Sequence, residues 1–236
     1  VEKHVNINRL LELTKPVATA VVPISAGRHI YKRESSFPIA VACDPAFNFV
    51  YEANIRYLHH LGEVTYFSPL ADTSLPDAGF VYLPGGYPEL YLAALSANRQ
   101  MLQSIRRYVE SGGKLLAECG GMMYLCDEIR DKNGDVYPMA GVLHQSATME
   151  NMKLRLGYRT LLYNETRLKG HEFHYSCLVE QQNPLPSCAV AYTAKGVETD
   201  TPLYHYKNVW AGYTHLYWAD PVGNEWFTKF VIDGNT

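Results

Sequence analysis

The chain has 236 residues, 47% hydrophobic, 19% charged and 12% aromatic, with 17 Gly and 13 Pro. This globular balance excludes disorder, collagen-like repeats and coiled coil. A formal net charge of -3 offers no basic field for nucleic acid and no polybasic membrane patch, and no apolar run approaches the roughly 18 residues of a membrane-spanning helix.

Val1-Glu2-Lys3-His4 opens without Met and without a signal-peptide pattern, so the chain reads as a piece of something longer. The five cysteines, Cys43, Cys119, Cys126, Cys177 and Cys188, are widely spaced and form no C-x-x-C pair. Neither a zinc ribbon nor a thioredoxin-type site is suggested. The expectation is reduced thiols in a cytoplasmic protein.

Residues 1–37 read as a linker and the tail of a preceding domain. A short helical stretch at Asn8–Thr14 is followed by a basic segment broken by Pro16, Pro23 and Gly27. Pro38–Cys43 is an apolar run suited to a strand buried on both faces. Asn48–Leu61 has helical spacing, with Tyr51, Ile55, Leu58 and Leu61 on one face. Strands follow at 64–67 and 80–83. A helix is predicted over Ser96–Ser111 with Ser96 as its N-cap, then a strand over Lys114–Glu118 and a helix through Met122, Tyr124 and Leu125. Alternating strands and helices imply an α/β fold, a mainly parallel sheet with helices on both faces. Beyond about residue 135, short strands are expected at Ala140–Leu143, Tyr158–Leu162, Glu172–Tyr175, Ala189–Tyr192 and Val209–Tyr213. They extend the sheet or form an antiparallel flap against it.

Three places can carry chemistry. Cys119 lies where an apolar strand meets Gly120-Gly121 and a helix, the layout that lifts a nucleophile clear of a sheet. The helix start favours a thiolate there, so Cys119 is expected to be the most alkylation-sensitive thiol; the bland alternative is a buried Cys at a strand end. His215 follows the strand at 209–213 and can converge with Cys119 at the carboxyl ends of the strands, or it is an ordinary polar residue there. Pro84-Gly85-Gly86-Tyr87-Pro88-Glu89 also follows a strand, where backbone N–H groups form an oxyanion hole or the glycines form a mere tight turn. His171 and His174 are three apart on a predicted strand and point to opposite faces, so no metal site is expected. No phosphate-cradling loop is present.

Asp44–Asn54, Leu83–Leu90, Leu95–Arg99, Ala117–Leu125, Gly170–Ser176 and Tyr213–Leu216 occur in an order that resembles the C-terminal glutamine amidotransferase domain of cobyrinate a,c-diamide synthase. The resemblance covers residues 38–232, and His4–Leu11 looks like the last helix of that enzyme's synthetase domain. It implies a flavodoxin-like, class I glutaminase domain over residues 38–236. Cys119 is then the nucleophile on glutamine and His215 its base. The backbone at Gly85, Gly86 and Gly120 holds glutamine and the oxyanion. The partners it implies are glutamine and an ATP-dependent synthetase domain. ATP and Mg²⁺ are used there and no cofactor in this chain. That domain amidates the a and c carboxylates of a corrin, or of hydrogenobyrinate or nickel sirohydrochlorin. Homodimerisation is left open.

One departure stands out. Class I glutaminases carry a Glu two residues after the His, and here that residue is Tyr217. Glu172, Glu180, Asp220 or the synthetase domain are the candidate substitutes, and slow turnover by the isolated chain is expected. A catalytically silent docking domain and a cysteine hydrolase of the same fold are the competing readings.

Overall fold

The computed structural model describes residues 6–9 and 37–233. The chain divides into the units Val1–Lys32 and Arg33–Thr236. Of the first, only a helical turn at 7–9 is described, with Asn6 Oδ1 accepting from Arg9 N at 2.9 Å. The rest of the expected N-terminal helix and the linker lie outside the described residues.

The second unit opens with β1 (Pro38–Ala42), α1 (Glu52–Leu61), β2 (Glu63–Phe67) and β3 (Phe80–Leu83). Helices α2 (Leu92–Ala97) and α3 (Arg99–Glu110), strand β4 (Lys114–Glu118) and helix α4 (Gly120–Leu125) follow. Strands β5 (Glu128–Arg130), β6 (Val136–Pro138) and β7 (Ser146–Thr148) lead to a long hairpin of β8 (Arg155–Tyr163) and β9 (Thr166–His174). Then come β10 (Cys177–Leu178), β11 (Val190–Thr193), β12 (Glu198–Thr199), β13 (Leu203–Tyr206), β14 (Val209–Gly212), β15 (His215–Leu216) and α5 (Pro221–Thr228).

The central sheet has the order β13-β14-β4-β3-β1-β2. Its β1–β2, β1–β3, β3–β4 and β4–β14 pairings are parallel, and only the edge strand β13 runs antiparallel. The two-residue period of a strand divides its side chains between two cores. Ala40, Val81, Leu83, Leu115, Ala117 and Ala211 pack with Met101, Ile105 and Val109 of α3. Ile39, Val41, Phe80, Tyr82, Leu116 and Trp210 pack with Ile55 and Leu58 of α1 and Trp226 and Phe227 of α5. The sheet is therefore buried on both faces, as its near-continuous apolar strands require.

Two departures from the sequence reading have identifiable causes. The helix over 96–111 is broken. Ser96 lies inside α2, and Asn98 is the N-cap of α3, accepting from Met101 N at 3.3 Å. Its amide also donates to Pro69 O and Asp72 O, both at 2.8 Å, which fixes the break. Ala140–Leu143 is not a strand: its N–H groups go to the carbonyls of Tyr124, Cys126 and Leu125, finishing the C-terminus of α4. The later strands extend the sheet through β13 and β14. They also build a separate antiparallel sheet, β12-β11-β8-β9-β15.

Candidate active site

Strand β4 delivers Cys119 to the turn before α4. Its backbone sits at φ 50 and ψ -107, a conformation a non-glycine residue adopts only under constraint. The constraint is visible: Cys119 N donates to Gly212 O at 2.8 Å, and Cys119 O accepts from Met123 N at 3.0 Å. Parallel pairing of β4 with β14 brings the chain after Gly212 alongside this turn.

His215 is held by its neighbours on every side. It pairs with His171 of β9, and Tyr217 N donates to Lys169 O at 2.8 Å. Buried Asn54 of α1 clamps the next residues, donating to Leu216 O at 2.8 Å and accepting from Trp218 N at 2.9 Å. The imidazole lies 4.5 Å from the Phe49 ring and 4.9 Å from the His171 ring, which it stacks. Asp44 at the end of β1 accepts from Ala46 N, Phe47 N, Ser68 Oγ and Leu70 N, and this turn leads the chain to Phe49.

Cys119, His215, Phe49, Gly86, Tyr87, His171 and Phe173 line one cavity of about 180 Å³. The structure thus brings Cys119, His215 and Gly86 together. Gly85 has a steric reason to be glycine: a Cβ there would lie 2.1 Å from His215 Cε1. Its carbonyl accepts from Phe49 N at 3.0 Å, which turns the Gly86 N–H of the same trans peptide the opposite way. Gly86 has φ +154, and a Cβ would meet Ala46 O at 2.2 Å. Gly120 begins α4 next to Cys119, and a Cβ there would meet Pro88 Cδ at 2.7 Å.

Burial dominates the electrostatics. It pushes the Cys119 thiol up to about 12 against the opposing pull of the Gly120 N–H. It also pulls His215 down to about 3, helped by His171 and His174. The helix start therefore does not produce a resting thiolate: a six-residue helix is outweighed by desolvation. Cys43 and Cys177 are exposed whereas Cys119 is buried, so simple accessibility does not favour Cys119.

Sequence reasoning missed several residues here. Phe49, Tyr51 and Phe173 lie within the segments that carry the family resemblance, Asp44–Asn54 and Gly170–Ser176, but the sequence reading gives them no role in the site. Tyr51 Oη lies 2.5 Å from His171 Nδ1. His171 lines the cavity, while His174 stacks on Tyr213 at 3.8 Å and donates from Nδ1 to Ser176 O at 2.8 Å. Tyr217 turns outward, edge-on to Tyr51 at 5.6 Å. Glu172 meets Arg159 at 2.6 Å, and Asp220 caps α5 through Gly223 N at 2.7 Å. The carboxyl beside His215 is instead Glu118, the residue before Cys119, with Oε2 at 3.9 Å from Nδ1. In the sequence it is a carboxylate at the end of an apolar strand, within the segment Ala117–Leu125 that carries the resemblance, and the sequence reading gives it no role.

Hydrogenobyrinate a,c-diamide synthase of Pseudomonas aeruginosa is 40% identical over 185 residues, covering 76% of this chain and 41% of the relative. Cobyrinate a,c-diamide synthase of Clostridium acetobutylicum is 35% identical over 241 residues, 98% of this chain and 52% of the relative. The chain thus spans about half the length of the curated relatives it matches. A crystal structure described as a glutamine amidotransferase superposes with TM-score 0.53 at 16% identity, over 82% of this chain and 98% of its own, which establishes the shared fold. The model of CobB/CobQ-like glutamine amidotransferase domains matches residues 38–222. Because that match takes in the whole central sheet, the Cys119 turn and the His215 bridge, the chain belongs to the family of CobB/CobQ-like glutamine amidotransferase domains.

Proposed function

We propose that this chain is the glutaminase part of a glutamine-dependent a,c-diamide synthase acting on cobyrinate or a close tetrapyrrole relative. The observation that carries the reading is a cysteine at a constrained strand-to-helix turn sharing one small cavity with a buried histidine, in a chain of this family. Cys119 Sγ attacks the amide carbon of glutamine while His215 takes the thiol proton. The same proton then passes to the departing ammonia, leaving a glutamyl thioester that water hydrolyses to glutamate. Since burial keeps both groups neutral at rest, proton transfer accompanies attack rather than preceding it. The N–H groups of Gly86 and Gly120 serve the oxyanion, and Gly85 gives His215 its room. ATP and Mg²⁺ act in the synthetase part, which receives the ammonia; no step on this chain uses them. The five unpaired thiols suit the cytoplasm.

The test measures glutamate release by this chain, alone and with a relative's synthetase half, ATP, Mg²⁺ and cobyrinate. Turnover alone should be slow and should rise on reconstitution. Cys119→Ala should abolish glutamine-dependent amidation and leave ammonia-dependent amidation intact. Glutamate released at full rate by Cys119→Ala would refute the assignment.

A further inference from the structure

Within the glutaminase reading, on which this rests, we propose that Glu118 is the positioning residue of His215. Its carboxylate accepts the Nδ1–H of the imidazole and leaves Nε2 free to take the Cys119 proton.

His215 Nδ1 is buried and has no hydrogen-bond partner in the resting structure. Glu118 Oε2 stands 3.9 Å from it, and the two side chains are only 2% and 4% exposed, so no bulk water separates them. A contraction of about 1 Å makes this an ordinary N–H···O bond, and such bonds are often long before substrate binds. The carboxylate is already aimed. Oε1 accepts from Leu216 N at 3.0 Å, and Oε2 accepts from Tyr82 Oη at 2.7 Å. Each carboxylate oxygen has two lone-pair directions, so Oε2 keeps one for Nδ1. Among the described residues the only ion-pair neighbour of Glu118 is His215. A buried carboxylate with no cation is costly; the imidazolium formed when Cys119 gives up its proton is the cation that lets Glu118 hold its charge there.

The other acids that the sequence offers as substitutes lie elsewhere. Glu172 serves Arg159, Asp220 serves Gly223 N and Lys169, and Glu180 lines a separate cavity with Arg155 and Asp200. Tyr217, in the usual orienter's place, contacts Tyr51 instead.

Imidazole nitrogen NMR shifts of His215 in the whole chain test this directly, recorded above pH 8, where Glu118 is ionised. The wild type should hold its proton on Nδ1. Glu118→Gln should keep the Leu216 contact through its amide oxygen and turn its NH₂ toward Nδ1, moving the proton to Nε2. Inactivation by a diazo-ketone analogue of glutamine should then slow by about 10²–10⁴-fold, the range set by general-base catalysis and by a wrong tautomer in the serine triad, with the analogue's half-saturation unchanged. A purely structural Glu118 would alter stability without moving the tautomer.

A wild-type proton on Nε2 overturns the proposal, and that reading stands even where Glu118→Gln does not fold. So does a Glu118→Gln variant with unchanged tautomer and unchanged inactivation rate. Failure of the analogue to label Cys119 in the wild type overturns the glutaminase reading itself, a result separable from either of these.

Discussion

Cys119 is less reactive at rest than its position suggests, because burial outweighs the short helix behind it. Iodoacetamide at neutral pH should therefore modify exposed Cys43 and Cys177 first, while a diazo-ketone analogue of glutamine labels Cys119. Peptide mass mapping after each reagent checks this, and Cys43 as the analogue's target would sink the site. Gly85 is the second decisive residue. A Cβ there would lie 2.1 Å from His215 Cε1, and the ring cannot retreat because Phe49 and His171 flank it. Gly85→Ala should slow analogue labelling by about 10²-fold, as a displacement near 1 Å does. It should cost about 1–3 kcal/mol of stability from overpacking. Rate and urea midpoint report the two effects separately.

At the scale of elements, two asparagines do what the strands alone cannot. Asn54 of α1 reaches the chain on both sides of Tyr217. Truncating it leaves Leu216 O and Trp218 N buried without partners, at about 1–3 kcal/mol each. Asn54→Ala should thus cost about 2–6 kcal/mol in urea unfolding and slow analogue labelling, since β15 carries His215. Asn98 is the control. It caps α3 and ties it to the loop carbonyls of Pro69 and Asp72. Asn98→Ala should cost about 0.5–2 kcal/mol with analogue labelling unchanged. Equal effects of the two variants on labelling would show that His215 is not specially held by Asn54.

For the whole molecule, pH couples stability to the site. Burial pushes Glu118 from 4.5 up to about 8, against the bonds from Tyr82 and Leu216. The native state then keeps a proton that the unfolded chain loses, so stability falls as pH rises from about 4.5 to about 8. His215 works the other way. Lowered to about 3, it stays neutral while the unfolded imidazole charges, so its contribution rises with pH between about 3 and 6.5. Above 6.5 that opposition ends. Tyr51 and Tyr82, the phenols nearest Glu118, are pushed higher still, Tyr51 to about 12. Glu89 is raised in the same direction as Glu118 by its own burial, so the comparison of variants isolates the effect. Wild-type urea midpoints should decline from pH 6.5 to 8 more steeply than those of Glu118→Gln. Parallel slopes would show that Glu118 is already ionised at neutral pH.

The inner strands of the central sheet were legible from composition and period alone. The runs at 38–42, 80–83 and 114–118 are too apolar for one-sided burial, and each is a central parallel strand. The Cys119 turn was legible for the same local reason: an apolar strand running into Gly120-Gly121 has nowhere to go but a sharp bend. What lies 96 residues apart, from Cys119 to His215, was not local, and only pairing of β4 with β14 and of β9 with β15 brings the two together. Nor could chain order reveal that Asn98 breaks a helical pattern, because its partners Pro69 and Asp72 are on another loop. The acid beside His215 shows the limit most plainly. Spacing from the histidine leads to Tyr217, whereas the sheet places Glu118 there, because neighbours across parallel strands are set by register and not by separation along the chain.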